Sequence, residues 1–197
     1  MSDMKTQESK LSCPSVEWPT FSFFKRPIKN VVPCREMTIP DLYRYVVSDY
    51  AKETTAHLRT LTTKDEIKAY KSSAFDFVTP AGVFSRRADA HLEKASGYMV
   101  IDIDNLGSQE EVEDNFQRLL DNPCLETELL FRSPGGRGLK WFIAVRNNEG
   151  HDHRYYFQAV TNYLSTLGIV VDPSGKDVCR SCFIPHDERV YINPKYL

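Results

Sequence analysis

The chain has 197 residues, 41% of them apolar and 26% charged, with a formal net charge of −2. That is enough for one domain with a real core and short for two, and the charge excludes a uniformly basic protein while leaving room for a local basic patch. No apolar run approaches the roughly 18 residues of a membrane span, and the polar start MSDMKTQESKLS lacks the apolar stretch of a signal peptide, so a cytoplasmic protein with no membrane partner is expected.

Residues 1–15 read as a disordered leader, residues 16–72 as a mostly helical part, and residues 73–197 as an α+β core of the same domain. Phe21, Ser22, Phe23 and Phe24 form a short strand candidate. Thr38 is placed to cap a helix with Pro40 in its first turn, and Leu42, Tyr45 and Val46 follow at helical spacing. A second helix is expected over residues 53–61. Thr63 and Glu66 match a capping box and open a third helix ending near Lys71. Residues 73–78 alternate as a strand, Pro80 to Gly82 is turn chemistry, and residues 88–94 read as a short helix.

Residues 97–104 form an apolar strand of the kind found at a sheet centre. Ser108 caps the next helix, with Glu110 and Glu111 at its positive end and Val112, Phe116, Leu119 and Leu120 as its apolar stripe. Strands over 126–132 and 139–145 flank a glycine turn. A long helix over 153–167 carries Tyr156, Phe157, Val160, Tyr163 and Leu164 on its buried face. Short strands are expected at 169–171, 183–184 and 190–192. From Gly97 onward the order is strand, helix, strand, strand, helix, strand. That is the split βαβ order of a ferredoxin-like or RRM-like sheet, with helices on one face and the other face open for a ligand.

Asp102 and Asp104 stand two apart on a strand, so both carboxylates project to one side. Two like charges that close raise one pKa unless a cation sits between them, and Mg2+ or Mn2+ suits an all-oxygen site. The plain alternative is a pair of aspartates capping the following turn. Asp172, after the apolar Ile169, Val170 and Val171, is a third candidate. Its plain reading is a turn-starting residue before Pro173.

Gly135, Gly136 and Gly138 allow close backbone approach to a ligand, and exposed amides there can form an anion nest. Arg132, Arg137 and Lys140 add charge. A hairpin turn with solvated arginines is the plain reading. Lys176 and Arg180 are further phosphate-binding candidates. Arg86 and Arg87 are a basic patch or a solvated face, and His186 reads as a loop residue. Of the five cysteines, Cys179 and Cys182 form a CxxC with no second pair of zinc ligands. They are expected to be reduced and structural.

Taken in order, these motifs resemble the archaeo-eukaryotic primase (primase-polymerase) superfamily, and most closely the N-terminal domain of virulence-associated protein E-like proteins of Bacteroides-type bacteria. The resemblance covers roughly residues 68–193. It rests on Phe84-Ser-Arg86, Ser96-Gly97, Val100-Ile-Asp-Ile-Asp104, the turn Ser133-Pro-Gly-Gly-Arg-Gly-Leu-Lys140, and Val171-Asp172 with Arg180-Ser-Cys-Phe-Ile-Pro185.

The resemblance implies a primase-like core. Asp102, Asp104 and Asp172 would be catalytic and would bind two divalent cations, Mg2+ or Mn2+. Ser133, Gly135, Gly136, Arg137, Gly138, Lys140 and Arg180 would hold a nucleoside triphosphate. A single-stranded template would lie across the open sheet, and a helicase is a candidate partner. Lys140 stands where that superfamily usually has a His, and a Lys offers charge without a titratable proton near neutral pH. Three readings follow: a metal-dependent nucleotidyltransferase, a non-catalytic nucleic-acid-binding or replication-adaptor domain, and a metal-dependent nuclease.

Overall fold

The structure is a computed structural model that describes residues 17–145, 150 and 152–197. The leader expected over residues 1–15 lies outside the described residues. In chain order the strands and helices are β1 (Phe21–Phe24), β2 (Arg35–Met37), α1 (Ile39–Val47), α2 (Lys52–Thr60), α3 (Lys64–Ala74), β3 (Phe77–Thr79), β4 (Gly82–Phe84), β5 (Leu92–Ala95), β6 (Tyr98–Ile103), α4 (Gln109–Leu120), β7 (Thr127–Arg132), β8 (Leu139–Ala144), α5 (His153–Thr166), β9 (Cys182–Phe183) and β10 (Tyr191–Ile192). The fold is mixed α+β with antiparallel sheets. Among the described residues no helix is long and apolar enough to cross a membrane.

The helix starts follow their capping signals. The Thr38 side chain accepts from the Asp41 amide, and the Asp41 carboxylate accepts in return from the Thr38 amide, which closes a capping box at α1. Thr63 and Ser108 accept from the Glu66 and Glu111 amides at the starts of α3 and α4.

The central sheet has the order β10-β7-β8-β6. β6 and β7 are joined through α4, and β8 inserts between them as the antiparallel neighbour of both. Alternation sorts these strands into two faces. Met99, Ile101, Ile103, Leu130, Leu139, Trp141 and Ile143 pack against Val112 and Leu119 of α4 and Phe157, Val160 and Leu164 of α5. Trp141 is fully buried there, and its Nε1 donates to Thr127 Oγ1 at 2.8 Å, so its one polar group is satisfied.

The second face was expected to be open and is not. Tyr98, Val100, Leu129, Phe131 and Phe142 pack against Phe21 and Phe23 of β1, Met37 of β2, Ile39, Leu42 and Val46 of α1, and Val78 of β3. A second sheet of order β2-β1-β3-β9 supplies this cover. The N-terminal part therefore brings two strands as well as three helices, and β3 and β9 complete its sheet. A template cannot lie across the apolar length of that face, because side chains already fill it.

Smaller differences from expectation have local causes. The helix expected over residues 88–94 is a 3-10 turn, Asp89–His91, followed by β5, which pairs with β4. The helix α3 runs on to Ala74, so the strand expected from residue 73 begins at Phe77. Residues 169–171 form no assigned strand. A single backbone bond, from the Asp172 amide to the Asp102 carbonyl at 2.8 Å, ties this segment to the free edge of β6. A ferredoxin-like sheet puts its fourth strand at that edge, whereas β10 lies at the opposite edge, beside β7. The described cysteines Cys34, Cys124, Cys179 and Cys182 are all free.

Candidate metal centre

Asp102 lies one residue from the end of β6, on the face covered by the N-terminal sheet, and its register partner on β8 is Lys140. Asp104 follows just past the strand end. Asn105 then takes φ 62°, the left-handed region that Asn tolerates, and turns the chain away. Asp172 reaches the same point from the other side, through its amide bond to the Asp102 carbonyl. One carboxylate oxygen from each of Asp102, Asp104 and Asp172 lies within 4.8 Å of the others.

The charges around this trio are unevenly matched. Lys140 forms an ion pair with Asp102 inside the protein, both residues being 8% exposed. Arg180 reaches Asp172 at 3.4 Å. Asp104 is exposed and has no ion-pair partner among the described residues. Burial pushes the Asp102 carboxyl up; Lys140 opposes that rise, and Asp104 and Asp172 add to it. Burial alone would lower Lys140, but Asp102, Cys182 and Asp104 hold its proton more tightly and raise it. For Asp172, burial is outweighed by hydrogen bonds from Ser174 and the charges of Arg180 and Lys140, and its pKa is lowered. Asp172 also accepts from the Ser174 amide at 2.9 Å, so it starts a turn as well as joining the cluster.

The donor set fits a hard divalent cation. Asp102 Oδ1 is buried with no hydrogen-bond partner, a costly state for a carboxylate oxygen unless a ligand completes it. Three carboxylates of which one lacks a cationic partner are oxygen ligands of the kind Mg2+ and Mn2+ take. Cys182 lies close by, and burial pushes its thiol up to about 12, so in the metal-free protein it is a thiol at neutral pH.

The glycine turn abuts the acids at one position. A Cβ on Gly138 would stand 2.5 Å from the Ile103 carbonyl oxygen, 3.0 Å from Asp104 Oδ1 and 3.1 Å from Ser133 Oγ. The Ser133 amide donates to the Gly138 carbonyl at 2.7 Å and closes the turn. The remaining expected phosphate contacts are more remote. Gly135 is open to solvent, and Gly136 lies under the Arg59 guanidinium, whose Nε donates to the Pro134 carbonyl at 3.2 Å. Arg137 is exposed, and Arg132 is held by Glu113. Lys176 faces a different cavity, and His186 bonds the Ser48 carbonyl and Glu188.

A pocket of about 290 Å³ opens beside the trio, lined by Asp102, Asp104 and Asp177, by Lys140 and Arg180, and by two cations that the motifs do not mark as ligands, Lys71 of α3 and Arg87. Arg87 was legible only as part of a dibasic patch. Lys71 was legible only as the end of a helix. Burial lowers the Lys71 pKa, as does Lys140.

This is an α+β domain whose distinguishing feature is a three-carboxylate cluster at the edge of a pocket rich in charged side chains of both signs. The family described as BT4734-like, N-terminal domain, matches residues 69–192, well over half the chain, and the chain belongs to that family. The match takes in the trio, the glycine turn, Lys71, Arg87 and Arg180, and leaves out β1, β2, α1 and α2. No curated protein matches the chain, and no solved structure does.

Proposed function

We propose that the domain is a metal-dependent nucleotidyltransferase of the primase-polymerase type, which adds nucleotides from nucleoside triphosphates along a single-stranded nucleic-acid template. The observation that carries this reading is the convergence of Asp102, Asp104 and Asp172, together with the buried Asp102 Oδ1 that has no hydrogen-bond partner. The strand order, with β8 between β6 and β7, supports a ferredoxin-like core whose fourth strand is reduced to the Asp172 tether.

Asp102, Asp104 and Asp172 would hold Mg2+ or Mn2+, which when bound lowers the pKa of an attacking hydroxyl and offsets charge on departing pyrophosphate. The chain's own contribution is positioning. Gly138 lets the turn come against Asp104 with no side chain in the way. Arg180 can reach a phosphate beside Asp172. Lys140 can exchange Asp102 for a phosphate oxygen once a cation relieves the carboxylate. The template would run along the rim of the pocket rather than over the filled sheet face.

A primer-extension assay with Mn2+, labelled nucleotides and single-stranded DNA tests this. Extension by the wild type, lost in Asp102→Ala and Asp104→Ala, is expected, and no extension under any metal would sink the reading. A replication-adaptor domain is the second reading, favoured by the Lys140–Asp102 ion pair, which supplies a counter-charge without metal. In that case the wild type binds single-stranded DNA and no Mn2+.

A further inference from the structure

Among the described residues two cations of the pocket, Lys71 and Arg87, form no ion pair, although Asp102, Asp104 and Asp177 share the lining with them, and their setting differs from that of their neighbours. Lys140 is paired with Asp102, Arg180 with Asp172, and Arg154 lies 3.8 Å from Asp177. Lys71 has no carboxylate within ion-pair distance among the described residues. Its ammonium sits 5.9 Å from the Phe183 ring centroid. Arg87 is fixed by neutral groups alone: Nη1 donates to Ser181 Oγ at 2.9 Å, Nη2 to the Ile28 carbonyl at 2.7 Å, and its guanidinium lies 5.3 Å from the Phe77 ring centroid. Its Nε is buried and unsatisfied. An arginine held this rigidly by neutral groups, with no ion-pair partner, is pre-organised for an anion.

We propose that Lys71 and Arg87 form an anion-binding pair that receives the polyphosphate chain of the ligand, opposite the three carboxylates. The proposal rests on the nucleotidyl-transfer reading for the identity of the ligand, while the anion site itself rests on the two unpaired cations. The cavity, about 290 Å³, is at the lower limit of the roughly 300–1,000 Å³ of small-molecule sites. It accommodates a phosphate chain and leaves sugar and base outside. In its lining the cations Lys71, Arg87, Lys140 and Arg180 outnumber the carboxylates Asp102, Asp104 and Asp177. The pocket therefore selects for the length and charge of the phosphate chain and does not distinguish bases.

The test is calorimetric titration of inorganic tripolyphosphate, and separately of each nucleoside triphosphate and of a nucleoside, into the full chain with and without Mn2+. Lys71→Gln keeps the stem, removes the charge and breaks no hydrogen bond, so the fold is expected to survive, and thermal denaturation checks that it does. Lys71→Arg restores charge, and Lys64→Gln, at the exposed start of the same helix, is the control. Wild type and Lys64→Gln should bind tripolyphosphate and all nucleoside triphosphates alike and ignore the nucleoside. Lys71→Gln should bind at least about tenfold more weakly, and Lys71→Arg should recover most of the loss.

Equal affinity in Lys71→Gln overturns the proposal. So does a wild type that binds Mn2+ but not tripolyphosphate, an outcome that leaves the metal reading standing. Lys71-dependent binding of tripolyphosphate with no primer extension would sink the polymerase reading and leave the anion site in place.

Discussion

On the helix side of the central sheet, β6, β7 and β8 present an apolar surface from Met99 to Ile103 and from Leu139 to Ile143, and two amphipathic helices cover it along its length. On the other side the same strands begin apolar, with Tyr98, Val100 and Phe142 under the N-terminal sheet, and then change character within one residue pair, to Asp102 opposite Lys140. The covering layer changes with them. Beyond β1 and β3 lie Lys71, Arg87 and Arg180, with Phe183 beside them. One face is thus a core along its whole length, and the other is a core that ends in a charged pocket. A site is made here by stopping the apolar pattern of two adjacent strands one pair short of the sheet's end.

Breaking the helix side should cost the most stability. Trp141→Ala removes a fully buried indole and its hydrogen bond to Thr127, so a loss of about 3–5 kcal/mol is expected by denaturant unfolding. On the other face, Lys140→Met leaves Asp102 buried beside two further carboxylates without its cation. Breaking such a pair costs about 3–5 kcal/mol in a dry setting, and slightly less is expected here because the pocket admits water. Added Mn2+ should recover much of that loss, since a cation that binds only the folded state stabilises it. A Lys140→Met protein indifferent to Mn2+ would show that the cluster holds no metal.

Acidification probes the same contrast. The Asp102 carboxyl is raised above its ordinary 3.8 in the folded protein, so its protonated form is favoured by folding. That contribution to stability is present at low pH and is lost as pH rises through the folded pKa. Cation binding runs the other way, because the ligand must be ionised. Mn2+ affinity measured against pH should be full above the raised pKa and should fall on acidification at a higher pH than an ordinary carboxylate would give. The smallest effect is expected at the edge of the covering layer. Thr38→Ala removes the capping box of α1 and should cost about 1 kcal/mol without altering metal binding.

How legible these faces were in the sequence follows from pattern length. The strand carrying Asp102 and its partner carrying Lys140 each span six residues, long enough for alternation to assign sides, and the capping residues marked their helices. The cover on the second face was hidden for the opposite reason. β1 is buried at all four positions, so it shows no alternation, and β2, β3, β9 and β10 are two or three residues long. β5 carries Leu92, Glu93 and Lys94, good helix formers, and pairing with β4 overrode their preference. Lys71 and Arg87 reach the acids across long stretches of chain, and nothing in their neighbours' spacing records that. The third carboxylate was visible through its apolar approach, Ile169 to Val171, and through the family resemblance of Val171-Asp172.

That approach has a consequence for how the site is kept together. Among the described residues Asp172 is tied to the edge of β6 by one backbone bond, its amide to the Asp102 carbonyl, so the third ligand can leave by a local opening that breaks this bond and the Arg180 contact without global unfolding. Amide hydrogen exchange at Asp172 therefore reports the assembled fraction of the site directly. Fast exchange in the free protein that slows on loading with cation and phosphate would mean that the ligand completes its own binding site.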